Sequence, residues 1–229
     1  ALGVARGVAL HAQGGLVHDV LAVLELRVGR APRLQPVAAQ PAASALAPEP
    51  GLVLRVVIPA YNEADNIVDF VHAVRSAAPS ADILVVDDNS PDGTGLLAEQ
   101  LAAADASVSV LHRTAKAGLG AAYRHGFSVA FERGYDVIVS MDSDFSHDPA
   151  VIPVMIARIE QGADVVVGSR YVHGGGTIDW PLRRQILSKW GNRYTGFVIG
   201  MKVRDCTSGF RAYRASTLAA IPRGLVVAL

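Results

Sequence analysis

Asp142 and Asp144, separated by one residue, follow the apolar run Val137-Ile138-Val139 after Ser140 and Met141. Residues i and i+2 of an extended segment share a side, so the two carboxylates can face one point. A hard divalent cation takes oxygen ligands, and Mg²⁺ commonly combines one or two carboxylates with water and substrate phosphates. Held there, it would neutralise a diphosphate as a bond to that group breaks. A local reading competes with this one. Asp-Ser-Asp-Phe-Ser-His-Asp-Pro at 142–149 can cap a helix beginning near Pro149, since Asp and Ser accept orphan amide hydrogens and Pro suits a first turn.

Asp87-Asp88 forms a second acidic pair at the end of Ile83-Leu84-Val85-Val86. One carboxylate can accept from a base N–H or a ribose hydroxyl while the other fixes the turn, and the residues alone leave open which does which. Pro59-Ala60-Tyr61-Asn62-Glu63, after a third apolar run, supplies an opposite wall, with Tyr61 for packing and Glu63 as a hydroxyl acceptor. Lys116, followed by Gly118 and Gly120, can approach a phosphate. The segment is neither a G-x-x-x-x-G-K-[ST] loop nor a G-x-G-x-x-G fingerprint, which disfavours kinase and nicotinamide-dehydrogenase readings.

The elements that must position these residues alternate. Strands are expected at 52–58, 83–86, 108–111, 137–139 and 165–167. Helices are expected at 63–78, 96–104, from the Gly118 loop through Arg133, and at 149–160. Strand-helix repeats bury a mostly parallel sheet between helices and place chemistry beyond the strands' C-terminal ends, where every cluster above falls. Beyond Gly168 come a glycine-rich loop at 171–177, an amphipathic helix at 181–199, and a turn and short strand at 206–214.

The 229 residues suit one α/β domain, here residues 51–229. Residues 1–50 read as a poorly packed extension and Ala/Pro-rich linker, in which Leu16, Val17, Val20, Leu21 and Leu24 are spaced for a turn or short helix. With 21 basic and 21 acidic side chains the formal charge is +0, so no chain-wide field recruits nucleic acid. The single cysteine, Cys206, excludes an intrachain disulfide and fits a cytoplasmic setting. No run approaches eighteen uninterrupted apolar residues, so a peripheral rather than a spanning relation to membrane is expected.

In order along the chain, the motifs at 57–63, 86–94, 116–123, 142–149, 168–171 and 205–211, with Gly174-Gly175-Gly176 before Trp180, resemble family 2 glycosyltransferases. Within that family they are most similar to dolichyl-phosphate or polyprenyl-phosphate mannose synthases. The resemblance implies a GT-A fold that binds GDP-mannose with Mg²⁺ or Mn²⁺ and transfers mannose, with inversion, to a polyprenyl phosphate. It implies that Pro59, Tyr61, Glu63, Lys116, Ser143 and Asp87 or Asp88 line the nucleotide-sugar pocket. It also implies that Asp142 and Asp144 form the metal and diphosphate centre, and that Arg170 serves the phosphates.

Arg170, Arg183, Arg184, Lys189 and Arg193 are candidates for the acceptor phosphate. Trp180, Leu182, Ile186, Leu187 and Trp190 can touch the membrane surface on the cytoplasmic face, with or without a separate anchoring protein. The enzyme alternative is transfer of glucose from UDP-glucose to polyprenyl phosphate, and an alternative of a different class is a catalytically impaired homologue that only binds nucleotide-sugar or membrane. Family members continue past 207–211 with a pattern that 224–229 does not reproduce, so the C-terminal part of the domain is expected to be incomplete.

Overall fold

The computed structural model describes residues 53–168 and 208–220 with their side chains, and the backbone of Ala22–Leu26 and Ser169. Among these residues the strands are β1 (Ala22–Leu26), β2 (Leu54–Ala60), β3 (Asp82–Asp87), β4 (Val108–His112), β5 (Val137–Ser140), β6 (Val165–Ser169) and β7 (Arg211–Arg214). The helices are α1 (Ile67–Ala77), α2 (Thr94–Ala104), α3 (Leu119–Glu132), α4 (Ile152–Glu160) and α5 (Ala215–Ala219).

The described strands form one sheet in the order β1-β6-β7-β5-β2-β3-β4. β3 pairs in parallel with β2 and β4, and β2 pairs in parallel with β5. β7 is antiparallel to β5 and β6, and β1 is antiparallel to β6. Strands β2 to β6 therefore share a direction, which makes the sheet mostly parallel and mixed, as the alternating pattern predicts.

The apolar runs are continuous because both faces are covered. Val56, Ile58, Ile83, Val85, Val137 and Val139 join Phe70, Val74, Ala98 and Ile156 of α1, α2 and α4 in one core. Their neighbours Val57, Leu84, Val86 and Ile138 face the other way, into a second core with Ala122, Phe127 and Ala130 of α3 and Leu218 of α5. Each buried Val, Leu or Ile contributes about 1.5–3 kcal/mol, so the strand ends rest on a rigid base.

Three elements depart from expectation. Helical spacing through Leu24 predicts a turn or helix, yet Ala22–Leu26 is a strand whose backbone pairs with β6. The helix expected from Glu63 opens instead as a turn closed by Ile67 N donating to Glu63 O at 2.8 Å, while Glu63 N donates to Thr94 Oγ1 at 2.9 Å and Ala64 N to Asp92 Oδ2 at 3.0 Å. These tertiary bonds draw residues 61–66 toward the neighbouring turn, and α1 starts at Ile67. The helix expected from Pro149 is a single 3₁₀ turn, Pro149–Val151, before α4. Pro153 lacks the N–H that an α-helix continuing from Pro149 would use there.

Candidate functional site

β2, β3 and β5 are each followed by a non-glycine residue with positive φ: Asn62 at 59°, Asn89 at 61° and Phe145 at 55°. Asn tolerates this region and Phe seldom adopts it, so surrounding contacts must hold the bend at Phe145. Phe145 packs edge-on against Phe70 with ring centroids 5.0 Å apart. The three bends gather the acidic clusters at one edge of the sheet.

Past β5, Met141 and Ser143 are buried, Asp142 is half-buried and Asp144 exposed. The period-two geometry therefore turns both carboxylates away from the core. The capping alternative holds for Asp148, whose carboxylate accepts from Ala150 N at 2.9 Å and caps the 3₁₀ turn, and that leaves the capping role to neither Asp142 nor Asp144. Asp144 Oδ1 accepts from Ser146 N at 2.9 Å within its own loop. Tyr123, the fifth residue of α3, donates its hydroxyl to Asp142 Oδ1 at 2.7 Å. Burial first, then the Asp142 charge, push the Tyr123 phenol well above its ordinary value near 10, so it remains a donor.

Asp142 is also confined from the far end of the chain. A Cβ on Gly209 would stand 2.6 Å from Asp142 Oδ2, so only glycine leaves the carboxylate its place. Gly209 is seated by Ser140 Oγ, which donates to its carbonyl at 2.8 Å, and His147 stacks on Phe210 with centroids 5.4 Å apart.

The second cluster is a hydrogen-bonded frame. Asp87 and Asp88 are each only 4% exposed. Asp88 Oδ1 accepts from Arg113 Nη1 at 2.5 Å and Oδ2 from Ala117 N at 3.3 Å. Asp87 Oδ1 accepts from Ser90 N at 3.2 Å, and Oδ2 lies 3.3 Å from His112 Nδ1. Ser90 Oγ in turn accepts from Asn62 N at 3.2 Å. Burial raises the Asp92 carboxyl, but hydrogen bonds from Thr94 and Ala64 outweigh that and hold it below its ordinary value. Lys116 Nζ sits 3.5 Å over the Tyr61 ring, a cation–π contact that brings the phosphate candidate to the aromatic wall.

The structure thus brings together Tyr61, Glu63, Asp87, Asp88 and Lys116 on one side, and Asp142 and Asp144 on the other. Glu63 is engaged by Asn66 Nδ2 at 2.9 Å. Pro59 and Ser143 are buried, with the Ser143 hydroxyl donating to the Pro59 carbonyl at 3.4 Å, so they join β2 to the acidic loop. Arg170, Arg183, Arg184, Lys189 and Arg193 lie outside the described residues, as do Trp180, Leu182, Ile186, Leu187 and Trp190. Sequence reasoning assigned no role to His112, Arg113, Tyr123 or Gly209. Strand-end counting could have found the first two, because Asp87 and His112 are partners in the β3–β4 ladder.

No group of three or more His, Cys, Asp or Glu side chains suited to a metal occurs among the described residues. A pair of outward carboxylates fits a Mg²⁺- or Mn²⁺-type ion that keeps waters and takes substrate phosphates, rather than a closed protein cage. No helix among the described residues is long and apolar enough to cross a membrane.

The profile described as Glycosyl transferase family 2 matches residues 55–221. Polyprenol monophosphomannose synthase of Mycolicibacterium smegmatis is 51% identical over 164 residues, which cover 71% of this chain and 62% of that protein. Undecaprenyl-phosphate mannosyltransferase of Micrococcus luteus is 49% identical over 165 residues, 72% of this chain and 68% of that protein. The chain thus spans about two thirds of these relatives' length. Among solved structures, glucosyl-3-phosphoglycerate synthase from Mycobacterium tuberculosis, in complex with Mn²⁺, UDP and glucosyl-3-phosphoglycerate, superposes with a TM-score of 0.57 at 22% identity. The match covers 77% of this chain and 63% of that one, a likeness of fold.

Proposed function

The chain belongs to glycosyl transferase family 2, and on that premise we propose that it transfers mannose, with inversion, from GDP-mannose to a polyprenyl phosphate. The observation that carries the reading is the Asp142–Asp144 pair, turned outward at the end of β5 and relieved of capping by Asp148. The identity with relatives named for polyprenyl-phosphate mannose transfer supports the choice of sugar and acceptor. We assign the catalytic unit to residues 51–229, with 1–50 as an extension that lends β1 to the sheet edge.

Asp142 and Asp144 would hold Mg²⁺ or Mn²⁺, which when bound neutralises charge on the diphosphate. Tyr123 and Gly209 keep the Asp142 carboxylate in one orientation. Asp87, Asp88, Tyr61 and Glu63 line the nucleotide side, with Lys116 toward the phosphates. A phosphate monoester carries about −1.5 to −2 charge at neutral pH, so the acceptor oxygen attacks without a strong base, and no catalytic base is assigned. The protein's work is alignment and charge stabilisation. Arg170, Arg183, Arg184, Lys189 and Arg193 are proposed to hold the acceptor phosphate at the cytoplasmic membrane face, where a separate anchoring protein can assist.

The test is transfer to a long-chain polyprenyl phosphate from GDP-mannose in competition with UDP-glucose, with Mg²⁺ or Mn²⁺ supplied. A preference for mannose of about tenfold or more, the scale of one misfitted hydrogen bond, is expected. Preference for UDP-glucose overturns the donor assignment, and donor binding without any transfer indicates an impaired homologue.

Gly209→Ala supplies a second expectation. The added methyl must displace the Asp142 carboxylate, so transfer should fall about tenfold to a hundredfold, the range that an ångström of misplacement costs. Steady-state kinetics with circular dichroism as the fold control reads this outcome.

A further inference from the structure

His112 ends β4 beside Asp87, at the same height as the nucleotide-side turns. Its ring bridges two carboxylates from different elements: Nδ1 lies 3.3 Å from Asp87 Oδ2, and Nε2 lies 2.9 Å from Glu99 Oε1 on α2. Glu99 and His112 are exposed at the rim, whereas the Asp87 side chain is 6% exposed. The bridge therefore reaches from the surface to a buried group.

A second observation shows how closely this joint is built. A Cβ on Gly95, at the start of α2, would meet Asp87 Oδ2 at 2.7 Å and His112 Cε1 at 3.0 Å. The helix backbone thus closes on the same oxygen that faces His112, and only glycine permits the approach. The other oxygen, Asp87 Oδ1, accepts from Ser90 N, and Ser90 Oγ accepts from Asn62 N. The chain of contacts Glu99, His112, Asp87, Ser90, Asn62 runs from α2 across the ends of β4 and β3 to the turn after β2.

We propose that His112 is a positioning residue for the donor nucleotide: braced by Glu99, it orients the Asp87 carboxylate and through it holds the turns at 61–64 and 88–94 in register. This rests on the nucleotide-pocket reading of those turns. A carboxylate oriented in advance binds without paying to fix its rotamer, so removing the brace weakens donor capture rather than the chemical step.

Two replacements separate positioning from bulk. Asn can place an amide where Nδ1 stands and keep the Asp87 contact, whereas Gln can place one near Nε2 and keep only the Glu99 contact. His112 is 45% exposed on its side chain, so the variants should fold. In the free protein, His112→Ala and His112→Gln should speed amide hydrogen exchange at Ser90 about fivefold or more, and His112→Asn should restore it. Donor KM, read with whichever of GDP-mannose and UDP-glucose the wild type turns over, should rise about five- to tenfold in Ala and Gln and less than twofold in Asn, with kcat within about twofold throughout.

The exchange measurement needs no donor, so failure of the donor assignment is seen separately. Unchanged Ser90 exchange in His112→Ala overturns the proposal. So does an Asn variant that behaves like Ala, or a loss confined to kcat.

Discussion

Asp142→Asn and Asp144→Asn should each lower the proposed mannosyl transfer by about 10²–10³-fold, the usual consequence of removing one preorganised electrostatic group from a reacting centre. The effect should fall on activity and spare the fold. Asp144 is exposed and Asp142 half-buried, and the capping of the turn before α4 belongs to Asp148. Asn keeps an oxygen where Tyr123 donates and where Ser146 N binds, so stability should change by no more than about 1 kcal/mol. Steady-state kinetics beside thermal unfolding separates the two quantities. Losses under threefold in both variants would remove the pair from the reaction.

Arg113→Ala should have the largest effect on stability. Arg113 and Asp88 are 13% and 5% exposed on their side chains, and the guanidinium is 2.5 Å from the carboxylate. Removing it strands a buried charge at a cost of about 3 kcal/mol, which for a domain of this size lowers Tm by roughly 6–12 °C. The double variant Asp88→Asn with Arg113→Ala should recover most of that loss, because the penalty lies in the orphaned charge rather than in the pair. Thermal unfolding checks both variants. A Tm within about 1 °C of wild type for Arg113→Ala would show that Asp88 finds its compensation elsewhere.

These two predictions mark what the sequence discloses and what it hides. β2, β3 and β5 were legible because strands buried on both faces are nearly unbroken Val, Ile and Leu, and each acidic cluster begins where such a run stops. Asp142 and Asp144 announce themselves by local spacing. Their supports do not: Tyr123 comes from α3, and the segment at Gly209 is joined to Ser140 across 69 residues of chain. Nothing in a short window distinguishes that glycine from any turn glycine.

Arg113 and His112 were hidden differently. His112 ends a short strand of mixed burial and Arg113 follows it, and each looks like a solvated polar residue until β4 is laid parallel to β3. The strand at Ala22–Leu26 is hidden because the helical spacing of Leu16, Val17, Val20, Leu21 and Leu24 shares only Leu24 with it, and pairing with β6 decides the matter. The antiparallel β7 between β5 and β6 is likewise a tertiary choice, although a short strand at its position was expected.

The shared role of Asp142 and Asp144 is reached most directly by Mn²⁺ titration followed by electron paramagnetic resonance, with GDP present. Wild type should bind one Mn²⁺ per chain, and the Asp142→Asn, Asp144→Asn double variant should bind it at least about tenfold more weakly, since even outer partners of metal ligands are worth that much. Equal Mn²⁺ affinity in the two proteins, with both folded, would contradict the assignment.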